Sequence, residues 1–375
     1  SIVDEGKFLI YNNISEYQKI FYSLFLTPAY LISDRIVSLK IIGFMNSCVM
    51  SVGVIPVWLL AKKLLGSRLM RIAACILYLI GSDMTYSMTF MSETLYIPMS
   101  LWMVYFLYCL FECPDLRREA IYSIAIGIFI YLMYLTKEVA LVFLIAIPAL
   151  RATEYMYLRI YGDAKESLRW KQVLLEIVGI LVPFFLCHII MKNTLFAGFG
   201  NSYDQMGLAV LFQEGRIRYL LYGFVYYLCS CLVAFGVLPV IMPIIKFHGM
   251  AYKEKRLYIF LILLILLTAC VVAYTITIRE DYGTAYELTP RAHLRYISYV
   301  MWPLLILFLK LYEDREKASF GSVIKTLIPV VAFGVVFVTF WRGPYNGSAV
   351  DQTVLSYLCA LSENKFDLSA KFFGK

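Results

Sequence analysis

Between Ile278 and Pro303 the chain reads IREDYGTAYELTPRAHLRYISYVMWP, a polar loop wedged between two apolar runs. It carries Arg279, Glu280, Asp281, Arg291, His293 and Arg295. Charge packed against the mouth of a membrane span is costly to place, so such residues tend to mark sites. Arg291, His293 and Arg295 put three potential cations within five positions. That density suits a phosphate clamp, because guanidinium groups meet phosphate oxygens through parallel hydrogen bonds. The competing reading is an interfacial anchor, with Arg snorkelling to head groups and Tyr in the aromatic belt.

Two further segments carry polar groups at span ends. GSDMTYSMTFMSETLYIP, Gly81 to Pro98, places Asp83 and Glu93 around a span-to-span turn. Glu93 starts the next helix with Ser92 before it, so helix capping accounts for it as well as chemistry does. The chemical alternative is a carboxylate at the rim of an outward cavity, serving as base or hydrogen-bond acceptor. Lys137 and Glu138 read either as a self-neutralising pair or as a lysine offered to an anionic head group. His188, near Pro183 in an apolar helix, reads as a packed residue. No HExxH, zinc-type Cys/His spacing, GxxxxGK[ST] or GxSxG occurs, so neither a nucleotide nor a metal is expected at the site. A donor activated elsewhere and delivered through lipid would suit such a face.

The elements that position these groups follow from composition. Hydrophobic residues make up 61% of the chain and charged residues 16%, with a mean hydropathy of +0.74. No water-soluble fold of this length needs so much apolar surface, so a polytopic all-α transmembrane bundle is expected. The net charge of +8 then fits a positive-inside bias, not nucleic-acid binding. The nine cysteines lie mostly inside apolar runs and read as small hydrophobes.

About ten spans are expected, near 40–61, 70–89, 93–112, 119–136, 138–153, 173–191, 219–245, 257–278, 296–312 and 323–341. Residues 1–38 form an outer segment whose Phe21–Ile32 stretch holds Pro28 and lies along the interface. Residues 39–341 form the membrane domain, and 342–375 an outer C-terminal segment. The run from Ala120 to Leu150 has basic residues at both ends, Arg117/Arg118 and Arg151/Arg159. Both ends belong inside only if the chain turns back at Thr136-Lys137-Glu138. The alternation then closes: Lys62–Arg71, Arg117/Arg118, Arg151–Lys171, Lys246–Arg256 and Lys310–Lys325 fall inside. The outer face gathers residues 1–38, 81–93, Lys137-Glu138, 193–216, 279–295 and the tail. No internal repeat is evident, which tells against a transporter. The expected spans also carry few polar residues toward the inner face.

In their order and facing, five segments resemble the GT-C membrane glycosyltransferases, in particular the protein O-mannosyltransferase and lipid A aminoarabinose-transferase branch. They are EYQKIFYSLFLTPAYLI (Glu16 to Ile32), LKIIGFMNSCVMSVGVIPVWLLAKKLL (Leu39 to Leu65), MSETLYIPM (Met91 to Met99), YLTKEVALVFL (Tyr134 to Leu144) and PRAHLRYISYVMWPLL (Pro290 to Leu305). The resemblance implies transfer of a sugar, with inversion, from a polyprenyl-phosphate donor to a glycan, lipid or protein acceptor at the outer leaflet. It implies Glu93 as a catalytic acidic residue, Lys137 and Arg295 as phosphate contacts, and Arg291, His293 and Asp83 as further cavity residues. The first-loop acidic pair of the family corresponds to Asp4-Glu5 or lies upstream of Ser1, and the expectation here is upstream. The site is expected on the outer face of the plasma (inner) membrane. The rival expectations are a transporter or flippase of a lipid-linked saccharide, and a non-catalytic membrane scaffold.

Overall fold

The computed structural model describes residues 9–10, 13–14, 20–113, 115–161, 170–194, 216–277 and 294–314. Apart from a short antiparallel pairing of Leu9–Ile10 with Asn13–Ile14, the described chain is helical. The helices are α1 (Phe21–Tyr30), α2 (Arg35–Val52), α3 (Val54–Leu64), α4 (Arg68–Leu79), α5 (Glu93–Phe111), α6 (Leu116–Thr136), α7 (Leu141–Tyr161), α8 (Trp170–Thr194), α9 (Arg216–Phe235), α10 (Val237–Ile245), α11 (Tyr252–Thr277) and α12 (Met301–Glu313). Short 3₁₀ segments at Ser82–Met88, at Glu138–Ala140, and at Leu294–Tyr296 and Ser298–Val300 lead into α5, α7 and α12.

Among the described residues, six helical stretches are long and apolar enough to cross a membrane: Arg35–Leu64, Glu93–Phe111, Leu116–Thr136, Glu138–Met156, Gln172–Met191 and Tyr252–Thr275. The count rises to eight if two bent pairs are each one span. Of the nine expected spans that fall among the described residues, three are not single long straight helices, each for a physical reason. The stretch near 70–89 breaks after α4 and turns by 41° into the Ser82–Met88 segment. The stretch near 219–245 breaks at Gly236, whose positive φ of 83° is open to a residue without Cβ, and turns by 92°. The stretch near 296–312 holds a regular helix of only 13 residues, about 20 Å at 1.5 Å per residue and short of a bilayer core. The expected span 323–341 and the segment 342–375 lie outside the described residues.

The turn between α6 and α7 falls at Lys137, where the backbone becomes extended. It is the place that the paired basic ends required. The α5 helix is predominantly apolar and buried except along a partly buried Trp102–Tyr105–Phe106–Cys109 stripe, with Tyr96, Ile97, Met103 and Leu107 at 1% exposure or less. It is therefore the central stave of the bundle. The α6–α8 crossing is closer than side chains normally permit. A Cβ on Gly127 would stand 2.3 Å from the Ile180 carbonyl oxygen, and one on Gly179 would stand 2.8 Å from the Ser123 Cβ. Small residues that let backbones approach are a common device of membrane helix pairs. Gly127→Val is accordingly expected to destabilise the bundle by about 1–3 kcal/mol, the usual range for overpacking. The check is thermal unfolding of the purified protein in detergent, and an unchanged midpoint would contradict this crossing.

Cross-element contacts sort the helix ends into two levels. At one end Lys63 and Lys253 both bind the Glu112 carboxylate, the second at 3.2 Å. The Glu313 carboxylate accepts from the Gly66 amide at 2.9 Å and from the Ser67 amide. Burial alone would raise the Glu112 carboxyl, but its two lysine partners outweigh that and hold it below the ordinary carboxylate range. The basic turns at Lys62–Arg71 and Lys246–Arg256 thus sit together. At the other end lie the start of α5, the Lys137 turn, the Ser82–Met88 segment and the approach to α12.

Candidate functional site

At that second end, three charged side chains from distant segments meet. Glu93 is the first residue of α5 and Lys137 the residue after α6, while Arg295 sits on the 3₁₀ turn before α12. The Lys137 ammonium donates to Glu93 Oε1, and Arg295 Nε lies 3.1 Å from the same oxygen. The side chains of Lys137, Arg295 and Glu93 are 10%, 16% and 4% exposed. Ser92 gives α5 no side-chain cap; its hydroxyl turns to Glu93 Oε2 at 3.4 Å instead. Glu93 is therefore engaged by two cations inside the bundle and does not stand open at a cavity rim.

Aromatic and sulfur groups complete the surroundings. Lys137 Nζ stands 4.2 Å from the Tyr296 ring centroid and 5.9 Å from that of Tyr96. Such cation–π contacts contribute about 2 kcal/mol or more when desolvated. Arg295 donates from Nη2 to the Tyr296 hydroxyl at 3.3 Å and from Nη1 toward Met91 Sδ at 3.9 Å. Tyr296 and Tyr96 were not among the residues picked out by sequence. For Tyr296 a signal existed in its place beside Arg295, where a ring can orient a guanidinium.

Asp83 has a different role in the geometry. It is 1% exposed and its Oδ2 accepts from Trp302 Nε1 at 2.9 Å. It fastens the Ser82–Met88 segment to α12, and Gly81 makes room for the same indole, since a Cβ there would lie 2.4 Å from the ring. A nearby polar link joins Tyr22 to Asn46 Oδ1 at 3.3 Å and Asn46 Nδ2 to the Thr89 carbonyl at 3.1 Å. It ties α1 and α2 to the loop before Glu93. His188 packs beside Tyr131 and Tyr134, with ring centroids 6.1 and 6.2 Å away. Asp4, Glu5, Arg291 and His293 lie outside the described residues. Among the described residues no three His, Cys, Asp or Glu side chains are placed to hold a metal ion.

A second charged cluster, unexpected from sequence, is buried toward the Glu112 end. Arg151 on α7 donates to Glu154 at 2.7 Å and through Nε and Nη2 to both oxygens of Glu176 on α8. Arg256 on α11 reaches both oxygens of Glu154, one at 3.1 Å, and its guanidinium lies 4.5 Å from the Phe111 ring centroid. Glu176 is 0% exposed. The expectation of a span ending near 153, with Arg151–Lys171 as an inner basic stretch, is corrected in that α7 continues to Tyr161 and carries Arg151 within it. Pairing within the bundle lets the helix carry that charge onward. The expectation of spans nearly free of polar residues is corrected by the same four groups. One side of the cluster opens on a shallow cleft lined by Glu154, Phe247, Tyr252, Lys255, Arg256 and Ile259.

Together these features define a polytopic, all-helical protein of membrane type with a buried charge cluster toward each end of its bundle. Compared with family models, curated proteins and solved structures, the chain matches none. The likeness to GT-C enzymes stands on the quoted segments alone.

Proposed function

We propose that this chain is an integral-membrane glycosyltransferase that moves a sugar from a polyprenyl-phosphate donor to an acceptor at the outer leaflet. The observation that carries the reading is the meeting of Lys137 and Arg295 on Glu93. Two cations and one carboxylate from distant segments are thereby gathered at one end of the bundle. Departure of a polyprenyl phosphate develops negative charge on the leaving oxygen, which preplaced ammonium and guanidinium groups stabilise. Glu93 orients both cations. Its carboxylate is already engaged, so the proton of the acceptor hydroxyl goes to another base, outside this cluster. Assay of the purified protein with polyprenyl-phosphate sugars and candidate acceptors tests this. Transfer abolished by Lys137→Ala supports it, and unchanged transfer in that variant overturns the assignment.

The positive-inside rule places the lysine- and arginine-rich Glu112 end in the cytoplasm and the Lys137 end outside the plasma membrane. Ser33 and Arg118 are exposed and sit on opposite sides in this topology. In a background lacking reactive native cysteines, Ser33→Cys is expected to react with an impermeant maleimide in intact cells. Arg118→Cys should react only after permeabilisation, and the reverse pattern would invert the orientation.

A second reading, a transporter or flippase of a lipid-linked saccharide, is favoured by the Arg151–Glu154–Glu176–Arg256 cluster. Buried ionisable groups within spans are frequent on transport paths. Movement of labelled lipid across a vesicle bilayer without sugar transfer would select it.

A further inference from the structure

We infer that Lys62, Arg68, Arg117 and Arg118, at the Glu112 end of the bundle, form a docking surface for the head group of an anionic phospholipid. Lys62 lies in the last turn of α3 and Arg68 begins α4, while Arg117 and Arg118 lie in the first turn of α6. The contact of Lys63 with Glu112 brings the α3–α4 turn beside the α5–α6 link. All four cations are exposed. Among the described residues, their side chains make no hydrogen bond, ion pair or ring contact. The acids on the same turns are already engaged. Glu112 takes Lys63 and Lys253, and the Glu313 carboxylate takes the Gly66 and Ser67 amides. Asp115 caps α6 by accepting from the Arg117 amide at 3.2 Å. Arg71 differs from the four, since it donates to the Leu65 and Gly66 carbonyls at 2.9 Å each.

The apolar neighbours of these cations point to the partner. Leu69 follows Arg68 and is 73% exposed, and Leu116 precedes Arg117 and is 48% exposed. One turn further along α6, on the face of Arg117, Ile121 is 61% exposed. The cations therefore sit at the edge of an apolar strip that runs on along the span. A soluble polyanion would match the cations and leave the strip in water. A zwitterionic lipid would cover the strip, but its own ammonium offsets its phosphate and leaves the cations unmatched. An anionic phospholipid meets both, with its phosphate at the basic side chains and its acyl chains along the leucines and Ile121. The surface shares no residue with the Glu93–Lys137–Arg295 cluster and stands apart from the sugar-transfer reading. It would hold this end of the bundle at head-group depth.

The test places a bimane at Ile121→Cys, in a background lacking reactive native cysteines, with the full chain in phosphatidylcholine vesicles. Quenching by brominated phosphatidylglycerol is compared with quenching by brominated phosphatidylcholine at equal mole fraction. The anionic lipid is expected to be preferred about fivefold or more, the scale of one basic residue at an anionic head group. Replacing Lys62, Arg68, Arg117 and Arg118 together by Gln should remove the preference. Replacing the three arginines by Lys should keep most of it, because the charge remains. Should the Gln variant fail to fold, salt gives an independent arm on the otherwise unsubstituted protein. At about 1 M salt the screening length falls to about 3 Å, and the preference should largely vanish. Equal quenching by the two lipids, an unchanged preference in the Gln variant, or indifference to salt overturns the inference. Loss of the preference on adding inorganic phosphate at constant ionic strength also overturns it, by assigning the cations to a soluble anion.

Discussion

Arg295→Ala is expected to weaken binding of a polyprenyl-phosphate ligand by roughly ten- to hundredfold, since a charge-assisted contact contributes about 1.5–3 kcal/mol. Two losses combine. The phosphate loses a planar donor that can meet two of its oxygens together. Glu93 also loses one of its two cations, which weakens the local attraction for an anion. Arg295→Lys should recover only part of the affinity. An ammonium restores the charge but neither the fork nor the flat face that the Tyr296 ring supports at 5.1 Å. The measurement is equilibrium binding of a short-chain lipid phosphate in nanodiscs at fixed salt, with unfolding temperature recorded alongside. Equal affinity in wild type and Arg295→Ala would remove Arg295 from the site. Full recovery in Arg295→Lys would leave charge as the sole requirement.

Much of this site could be read from the chain because it depends on local rules applied at span ends. The paired basic flanks of the Ala120–Leu150 run admit only a hairpin, and that hairpin puts Lys137 on the level of Glu93 and Arg295. Once the three share a level in a bundle, opposite charges in low dielectric find one another. Asp83 was legible as a polar residue at a turn but not as a buried one. Its partner Trp302 lies 219 residues away, and no local pattern announces that pairing. The number of spans was blurred for a related reason. Apolar run length does not distinguish a straight helix from one broken at Gly236 or shortened before Met301. The Arg151 cluster shows the limit most clearly. An Arg at the edge of an apolar run reads as the first residue of a loop, and only Glu176 and Arg256 on other helices convert it into a buried one. Two weak signals were present, the i,i+3 spacing of Arg151 and Glu154 and the lone acid Glu176 in the following apolar run.

That cluster carries the largest expected effect on stability. Glu176→Ala leaves the Arg151 guanidinium, 9% exposed, with Glu154 as the remaining acid in salt-bridge contact among the described residues, and Glu154 is already shared with Arg256. Breaking a buried pair by deleting one partner typically costs about 3–5 kcal/mol, because the other charge stays desolvated. On the scale of large domains this corresponds to a fall of roughly 6–20 °C in unfolding temperature. Removing both partners differs in kind. Arg151→Met combined with Glu176→Leu takes away the charge together with its counter-charge and refills the space with apolar atoms. The double variant is therefore expected to unfold close to wild type, well above Glu176→Ala. Thermal unfolding in detergent of the single and double variants gives the coupling directly. If Glu176→Ala unfolds at the wild-type temperature, the cluster is solvated in the membrane protein and contributes little. If the double variant is as stable as wild type yet loses translocation of labelled lipid, these charges serve a transport path, and the second functional reading displaces the first.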